Sequence, residues 1–563
     1  MATNAAAPAG GASDPEASAS LMQRLLDGIE RVGNKVPNPV LMFFYLILGV
    51  IVLSQVLYWL DVEVTDFVAE PVPVLVQENY YEDSTQAQLE IDPTGAYLDD
   101  PEFQIVERTI AINGMLTIEG IRFIFSTFVT NFQGFGVVAV TFIAMMGAGA
   151  AEGAGLMDAL IRKIVKTAPR RLITFLIVLV GALSSVASDA GYLILIPLAA
   201  VAFHSLGRHP LAGMAAGFAG VAATFAVNII PQPTDAMITE VANEAIAIAG
   251  GETISILNNY YFSVVSMLLL CVVATVITEK VIEPRLGPWD ESSMPENEGA
   301  ADEGTLSVSE EAEARGLRFA GLGFLAVLLI VILATAPSGA PLRDPESGAI
   351  LGNTPFMSSL LFIIALFFLV SGVAYGVGAG TVHSANDVIA SITKTFNGLG
   401  GLVLMFLMIA QFIAYFNYTN LPDVLGIRLA DALEKLDASA LVLLVGFILV
   451  IFLLDFIIPG VIPKWAIFAP VFIPVFLRLD VAPQTLLAAY RIGDSPVNTL
   501  TPLMVYFPFI VTIAQRYKKD SGVGSIIALM IPYALIMGAI WILLFILWYA
   551  LGIPLGPGYP VDL

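Results

Sequence analysis

Six ionisable residues interrupt long apolar stretches of this 563-residue chain, and they are the side chains best suited to chemistry. They are Asp189, Asp235, Asp455, Lys464, Arg491 and Asp494. Held in lipid, each would cost roughly 2.5–3.5 kcal/mol, and six together about 15–20 kcal/mol. That sum exceeds the ~5–15 kcal/mol by which a typical protein is stable. These residues must therefore face protein or water, where buried charges indicate a pathway for an ion or a polar solute.

The composition excludes most other kinds of protein. Hydrophobic residues make up 57% of the chain and charged residues 13%, and the mean hydropathy is +0.83. These values indicate a polytopic helical membrane protein and exclude a disordered chain or a soluble multidomain enzyme. The formal net charge is −23 and no basic stripe exists, so nucleic acid is not an expected partner. The single cysteine, Cys271, excludes a disulfide within the chain.

Long apolar runs, typical of membrane-spanning helices, must position the six residues. The runs lie at about 39–60, 121–150, 172–204, 210–230, 258–279, 317–336, 356–378, 398–418, 440–478, 484–515 and 522–552. Two of them, 172–204 and 440–478, are too long for one helix. The segments SSVASDAG (184–191) and DFIIPGVIPKW (455–465) interrupt them. Each predicts a re-entrant hairpin, hairpin one and hairpin two, whose tip must be buried in protein or line water.

The positions of Lys and Arg predict the orientation in the membrane. Residues 162–171 contain five of them and residues 516–519 contain three. The stretches 61–107 and 234–257 contain none. We expect the basic loops on the cytoplasmic side. If both hairpins are re-entrant, both basic loops fall on the cytoplasmic side. The chain then crosses the membrane nine times, with the N-terminus in the cytoplasm.

The two halves of the chain repeat one spacing. In each half 43 residues separate a hairpin tip from an asparagine, Ser185 from Asn228 and Asp455 from Asn498. Both asparagines follow a valine and precede a proline, which predicts a first broken span at 210–230 and a second at 484–515. This is the inverted-repeat pattern of secondary transporters, whose sites lie where hairpins and broken helices meet.

These patterns divide the chain into four expected parts. They are a disordered tail (1–20), a first half with hairpin one (21–287), an acidic cytoplasmic linker (288–315) and a second half with hairpin two (316–563). The acidic stretches 61–107 and 288–314 are expected to be solvated loops with room for local helices.

The tip of hairpin one offers Ser184, Ser185, Ser188 and Asp189 as oxygen ligands for a substrate or cation. The alternative is that Asp189 caps a helix and that the serines bond their own backbone.

The broken spans offer a second set of oxygens. Asn228 and Pro231 mark the first, where freed carbonyls and an amide suit Na⁺, unless the proline only kinks the helix. Thr501 and Pro502 follow Asn498 in the second. The predicted Na⁺ ligands are Ser185, Asn228 and Asn498.

Charged side chains surround the second broken span. Arg491 and Asp494 lie three apart on one helix face, where Arg491 would attract an anion and Asp494 would hold it or relay a proton. The alternative is a structural ion pair between the two. Lys464 pairs with Asp455 or snorkels to the membrane boundary, and Trp465 stacks on an aromatic ligand or packs.

Several segments closely resemble the p-aminobenzoyl-glutamate transporter (AbgT) family, within the wider ion transporter superfamily. They are ERVGNKVPNP (30–39), SDAGYLILIPLAA (188–200), GRHPLAGMAAGFAG (207–220), PKWAIFAPVFIPVF (463–476) and YRIGDSPVNTLTPLMVYFPFI (490–510). The resemblance implies a homodimer with nine spans and two hairpins, and a scaffold beside a moving core. It also implies import of p-aminobenzoyl-glutamate or efflux of sulfonamide-type antimetabolites, with elevator motion and Na⁺ coupling common in the superfamily. The family positions implicated in transport match Asp189, Trp465, Pro483, Arg491, Asp494 and Pro502.

Hairpin two departs from the family pattern. Asp455 stands where members usually carry Asn, and FIIPGVIP (456–463) replaces a Gly/Ser-rich tip. The added acid favours proton coupling or a less anionic ligand, and the apolar tip offers fewer hydrogen bonds to a carboxylate.

The sequence thus predicts an all-α polytopic protein of the bacterial inner membrane. We expect it to carry a small organic anion, driven by a Na⁺ or H⁺ gradient, with the lipid bilayer and a second copy as partners and no other cofactor. The alternatives are an efflux pump for antimetabolites or a dicarboxylate-type carrier. A channel is disfavoured by the paired hairpins. An enzyme is disfavoured because neither a nucleophile–base pair nor metal-ligand spacing is visible.

Overall fold

The computed structural model describes most of the chain. The described ranges are 39–71, 103–167, 169–185, 191–289, 309–350, 354–434, 439–456, 458, 460–504 and 506–562. The predictions for the tail at 1–20, the centre of the first acidic stretch and most of the linker lie outside these residues. Ser188 and Asp189 also lie outside them, together with every role predicted for these two residues.

Helices make up most of the described structure. In the first half they are α1 (Pro39–Trp59), α2 (Ile118–Gln133), α3 (Val137–Ala154), α4 (Leu156–Thr167), α5 (Ile173–Ser184), α6 (Ile196–Ser205), α7 (Pro210–Phe218), α8 (Pro233–Ile248), α9 (Tyr260–Ile277) and α10 (Glu283–Leu286). Five-residue π-helical turns lie at Gly191–Leu195, Ala219–Ala223 and Thr278–Ile282. In the second half they are α11 (Glu310–Thr335), α12 (Pro355–Ala379), α13 (Ala385–Gly398), α14 (Gly400–Tyr418), α15 (Leu421–Glu434), α16 (Ala440–Leu454), α17 (Val461–Leu477), α18 (Pro483–Asp494), α19 (Phe507–Tyr517) and α20 (Val523–Ala550), with a 3₁₀ turn at Pro496–Thr499.

Seven helical segments of the described chain are long and apolar enough to cross a membrane. They are Val40–Trp59, Ile118–Ala154, Tyr260–Leu286, Glu310–Thr335, Pro355–Ala379, Gly400–Tyr418 and Val523–Ala550. Each overlaps an apolar run predicted to cross. The chain is therefore a polytopic helical membrane protein, because about 20 apolar residues suffice to span a bilayer.

Two pairs of short helices occupy the runs predicted to be hairpins. In hairpin one, α5 ends at Ser184, and the π turn that begins at Gly191 leads into α6. In hairpin two, α16 leads to a tip and then to α17, and the turn uses Gly460 at a φ of 97°, a conformation that suits glycine. None of these helices reaches the ~20 residues of a full crossing.

The first helix of hairpin one packs closely against the first broken span. A Cβ on Gly181 would lie 2.6 Å from the carbonyl carbon of Gly220, and a Cβ on Gly220 would lie 2.7 Å from the carbonyl oxygen of Val178. No side chain fits between these backbones, so glycine on both elements permits the contact. In the second half the same elements meet at Gly493, whose added Cβ would lie 2.8 Å from the Ile448 carbonyl oxygen.

The prediction of an all-α fold was wrong at the ends of the first acidic stretch. There β1 (Glu63–Pro71) and β2 (Phe103–Ala111) pair as an antiparallel ribbon, with Glu63 opposite Ala111. Both segments are rich in β-branched residues, which favour strands where we expected solvated loops with room for local helices. Side-chain amides anchor the ribbon to the membrane helices: Asn113 donates to the Tyr418 carbonyl at 2.8 Å, and Asn420 to the Ala111 carbonyl at 2.9 Å.

Buried apolar side chains of the described residues form two separate clusters. The large cluster includes the hairpins and the broken spans. The small cluster is formed mainly by α3, α4, α11 and α12. Its members are Ala151, Ala154, Leu156, Ala159, Ala320, Tyr375, Ala379 and Val382.

Candidate functional site

The two broken spans contact each other inside the protein. In the first, α7 and the π turn end at Ala223, and the chain stays non-helical until α8 begins at Pro233. In the second, α18 ends at Asp494 and the 3₁₀ turn follows. The backbone N–H of Ala226 donates to Ser495 Oγ at 3.1 Å. This hydrogen bond pairs a non-helical backbone N–H of the first span within the protein, as a membrane interior requires.

Hairpin one contacts the first broken span through neutral polar groups. Asn228 Nδ2 donates to the Ala182 carbonyl at 3.0 Å and to Ser185 Oγ at 3.1 Å, and Asn228 Oδ1 accepts from the backbone N–H of Ile230 at 3.0 Å. The predicted 43-residue spacing is thus a direct contact. Ser184 and Ser185 also donate to backbone carbonyls within their own helix, each at 2.7 Å.

The predicted Na⁺ ligands come together only in part. Ser185 and Asn228 touch, but their oxygens already take part in hydrogen bonds. Asn498 lies half-buried in the 3₁₀ turn. Within the described ranges, no hydrogen bond joins Asn498 to the other two.

Hairpin two contacts the second broken span through charges. Lys464 Nζ forms an ion pair with Asp455 Oδ1 and lies 2.7 Å from Asp494 Oδ1. The Lys464 and Asp455 side chains are fully buried and that of Asp494 is 1% exposed. Tyr490 lies beside them, donating to the Val461 carbonyl at 2.5 Å with its hydroxyl 3.4 Å from Asp494 Oδ1. One base therefore faces two acids.

A second buried ion pair joins the two broken spans. Arg491 Nη1 pairs with Asp235 Oδ1 and donates to the Ala226 carbonyl at 2.9 Å. Asp235 Oδ2 accepts from the backbone N–H of Gln232 at 2.8 Å, which fixes the carboxylate at the start of α8. Arg491 and Asp494, predicted as a possible pair, thus each bind a different partner.

The remaining predicted residues are Trp465, Pro483, Thr501 and Pro502. Trp465 is fully buried, its ring lies 4.6 Å from that of Tyr490, and its indole N–H donates to the Ile238 carbonyl at 2.9 Å. Pro483 is the first residue of α18. Thr501 and Pro502 follow the 3₁₀ turn, and Thr501 Oγ1 is buried without a hydrogen-bond partner in the described structure.

A small cleft opens beside the Arg491–Asp235 pair. It has room for no more than about one water molecule. Its lining residues are Asn228, Pro231, Asp235, Ile256, Asn259, Tyr260, Ser263 and Arg491. The sequence analysis missed Asn259, Tyr260 and Ser263. In the sequence they are the polar start of an apolar helix, and no local signal shows that this start faces Arg491.

The model of the AbgT putative transporter family matches residues 24–563. The chain belongs to the AbgT family. The p-aminobenzoyl-glutamate transport protein of Escherichia coli (strain K12) is 31% identical over 545 residues, which cover 96% of this chain and 98% of that protein.

Two solved AbgT structures share the fold. The Alcanivorax borkumensis YdaH transporter is 33% identical with a TM-score of 0.80, covering 92% of this chain and all of its own. Neisseria gonorrhoeae MtrF, described among antimetabolite efflux pumps, gives the same identity and TM-score and covers 95% of this chain and all of its own. This AbgT protein is therefore a membrane transporter of a small organic substrate and not an enzyme, and the family resemblance is confirmed.

Proposed function

We propose that this AbgT protein is a secondary transporter of a small organic anion similar to p-aminobenzoyl-glutamate. The observation that carries the proposal is Arg491, which lines the cleft between the broken spans at 2% exposure. Its Nε has no hydrogen-bond partner in the described ranges, so the guanidinium keeps a donor for a ligand. A guanidinium binds carboxylates with charge-assisted hydrogen bonds, which are stronger where water is excluded.

The proposed architecture is nine crossings and two re-entrant hairpins, in halves at 21–287 and 316–563. Seven long helices and the two broken spans account for nine crossings. We also propose a scaffold beside a moving core, as elevator transport requires. We further propose a homodimer in the bacterial inner membrane with a cytoplasmic N-terminus, an orientation supported by the distribution of Lys and Arg.

The coupling cation is proposed to act at hairpin two. Asp455 and Asp494 share a single base, Lys464, so the cluster has one negative charge in excess when all three are ionised. A buried excess charge is unfavourable unless a cation compensates it, and Na⁺ and H⁺ both suit carboxylates. The neutral set of Ser185, Asn228 and Asn498 is the second candidate for Na⁺.

The test is uptake of labelled p-aminobenzoyl-glutamate into proteoliposomes, with Na⁺ and proton gradients imposed separately. We expect saturable uptake under one of them. Arg491→Ala should weaken binding of the anion, because it removes the guanidinium from the cleft. Arg428→Ala is the matched control, since Arg428 contacts the Glu63 carbonyl of the β-ribbon instead. Unchanged affinity in a folded Arg491→Ala protein would exclude the proposed role.

Efflux of an antimetabolite is the second candidate, favoured by the similarity to MtrF. It predicts that expression protects a sulfonamide-sensitive bacterium and that p-aminobenzoyl-glutamate leaves loaded vesicles faster than it enters empty ones. A dicarboxylate-type carrier predicts instead that simple dicarboxylates compete fully for uptake.

A further inference from the structure

Helix α3 packs against α12 and α13 with almost no room between the helices. A Cβ on Gly372 of α12 would lie 2.5 Å from the Cα of Ala151 in α3. A Cβ on Gly153 of α3 would lie 2.5 Å from the Cβ of Ser391 in α13. Helices in such close contact have little freedom to slide along one another, so α3, α12 and α13 form one tightly packed unit.

Helix α8 is joined instead to hairpin two and to the second broken span. The Ile238 carbonyl of α8 accepts a hydrogen bond from the Trp465 indole of hairpin two at 2.9 Å. Asp235, near the start of α8, forms the buried ion pair with Arg491. In terms of the proposed function, α8 therefore belongs to the moving core, whereas α3, α12 and α13 belong to the scaffold.

Two carboxylates of α8 meet the start of α3. Gly136 immediately precedes α3, and its backbone N–H donates to Glu244 Oε1 at 3.2 Å. Glu240 lies one turn earlier on the same face of α8, and its Oε1 is so close to Gly136 that a Cβ there would clash with it. The first N–H groups of a helix have no partner within the helix, and a negative charge is favourable beside them. Both glutamates thus hold the start of α3.

This polar contact is weaker than the contacts on either side of it. Its hydrogen bond is at the long end of the usual range, and both glutamates are partly exposed. Two like charges one turn apart on a helix also repel each other. Gly134 and Gly136 lie at the junction of α2 and α3, where backbone without side chains can change direction easily. The contact can therefore open without disrupting the packing of α3 or of α8.

We propose that Glu240 and Glu244 form a latch on Gly136 between the moving core and the scaffold, closed in this structure and opened in each transport cycle. This inference rests on the proposed function, because it requires a core that moves. The glycine is part of the latch, since a side chain at position 136 would displace the Glu240 carboxylate. The two glutamates are positioning residues, and neither has to contact the transported anion.

The first test locks the latch with a disulfide, in a protein that combines Gly136→Cys with Glu240→Cys. A Cβ on Gly136 would lie 3.4 Å from Glu240 Cγ, so the ~3.5–4.5 Å between the Cβ atoms of a disulfide is within reach. The single native cysteine, Cys271, is buried and does not compete. We expect oxidation to slow uptake of p-aminobenzoyl-glutamate into proteoliposomes by roughly tenfold or more, and reduction to restore it.

The matched control is a disulfide within the proposed scaffold. Gly323→Cys with Ala374→Cys joins α11 to α12, where the two Cβ atoms would lie 3.1 Å apart. Its oxidation should leave the uptake rate unchanged, because these helices do not separate. If a fully cross-linked Gly136→Cys/Glu240→Cys protein transports as fast as the reduced one, the latch is wrong and the proposed transport still stands.

A second measurement needs no substrate, so it separates the latch from the proposed function. In Glu240→Cys, the rate of alkylation by a water-soluble maleimide reports how often the contact opens. Adding Glu244→Ala should raise this rate severalfold, because it removes the acceptor of the Gly136 N–H. Adding Glu244→Gln keeps an acceptor and should leave the rate unchanged.

The alkylation rates also decide the remaining cases. Equal rates in all three proteins overturn the latch, and they decide alone if the disulfide does not form. If the rates differ as expected but a folded wild-type protein transports no p-aminobenzoyl-glutamate, the proposed function is wrong and the opening of the contact stands.

Discussion

The two halves repeat one spacing in the sequence, but their hairpin–span contacts differ in chemistry. In the first half, Ser185 and Asn228 are 43 residues apart and join by a neutral hydrogen bond of 3.1 Å. In the second half, the residue 43 positions before Asn498 is Asp455, and its partner is Lys464 of the same hairpin. Lys464 then reaches Asp494, one turn before Asn498.

The difference indicates that the two contacts have different roles. The side-chain oxygens of Ser185 and Asn228 in the first contact already take part in hydrogen bonds within the protein, as expected of a structural contact. The second contact holds one more acid than base, which the low-polarity interior does not tolerate without a compensating cation. Under the proposed function, the coupling cation binds at the charged contact. The neutral contact holds hairpin one against the first broken span.

Lys464→Met should produce the largest effect in this comparison. It leaves Asp455 and Asp494 buried together without their base, and removal of one partner from a buried ion pair costs about 3–5 kcal/mol. We expect a large decrease in thermal stability of the detergent-solubilised protein, measured by tryptophan fluorescence or scanning calorimetry.

The control for that change removes the acids too. In Lys464→Met combined with Asp455→Asn and Asp494→Asn, no net charge remains and most of the lost stability should return. A Lys464→Met protein as stable as the wild type would show that Asp455 and Asp494 do not need the lysine as a partner. The proposed contrast between the neutral and the charged contact would then be wrong.

The element pattern was largely predictable from the sequence, whereas the partners were not. Length and interruption of the run 440–478 predicted two short helices, and α16 and α17 lie there. The Arg491–Asp235 pair joins residues 256 positions apart. Local periodicity determines where a helix forms. It does not determine which face of a short helix meets another after a break. Pairing of Asp494 with Arg491 was therefore one of two predicted alternatives, whereas Asp494 lies beside Lys464.

Two further features show where sequence patterns carry little information. The β-ribbon is rich in β-branched residues, but its acidic setting led us to expect solvated loops with room for local helices. Asn259 precedes an apolar run, as helix-capping residues commonly do. Its position in the cleft depends on contacts with Gln484 and the C-terminal segment, which are distant in the chain.

Asp455→Asn should change transport more than stability. Lys464 keeps its contact with Asp494, so the excess charge disappears and the fold is retained. We expect the coupling to the driving cation to weaken, seen in proteoliposomes as uptake that responds less to the imposed Na⁺ or proton gradient. Asp344→Asn, in an exposed loop, is the control and should leave the response intact. An undiminished response in Asp455→Asn would show that the coupling cation does not bind at hairpin two.

Loss of the neutral contact should have the smallest effect of these changes. It also tests most directly whether the two contacts have different roles. A double-mutant cycle of Ser185→Ala and Asn228→Ala should give a coupling energy of about 0.5–1.5 kcal/mol, the usual contribution of a neutral hydrogen bond. If this contact only stabilises the fold, Ser185→Ala should lower the thermal stability. The Na⁺ dependence of uptake should stay unchanged in the same variant. Loss of that dependence in a stable Ser185→Ala protein would instead assign Na⁺ to the first contact. The two halves would then differ in which cation they bind, because the charged contact would remain available for a proton.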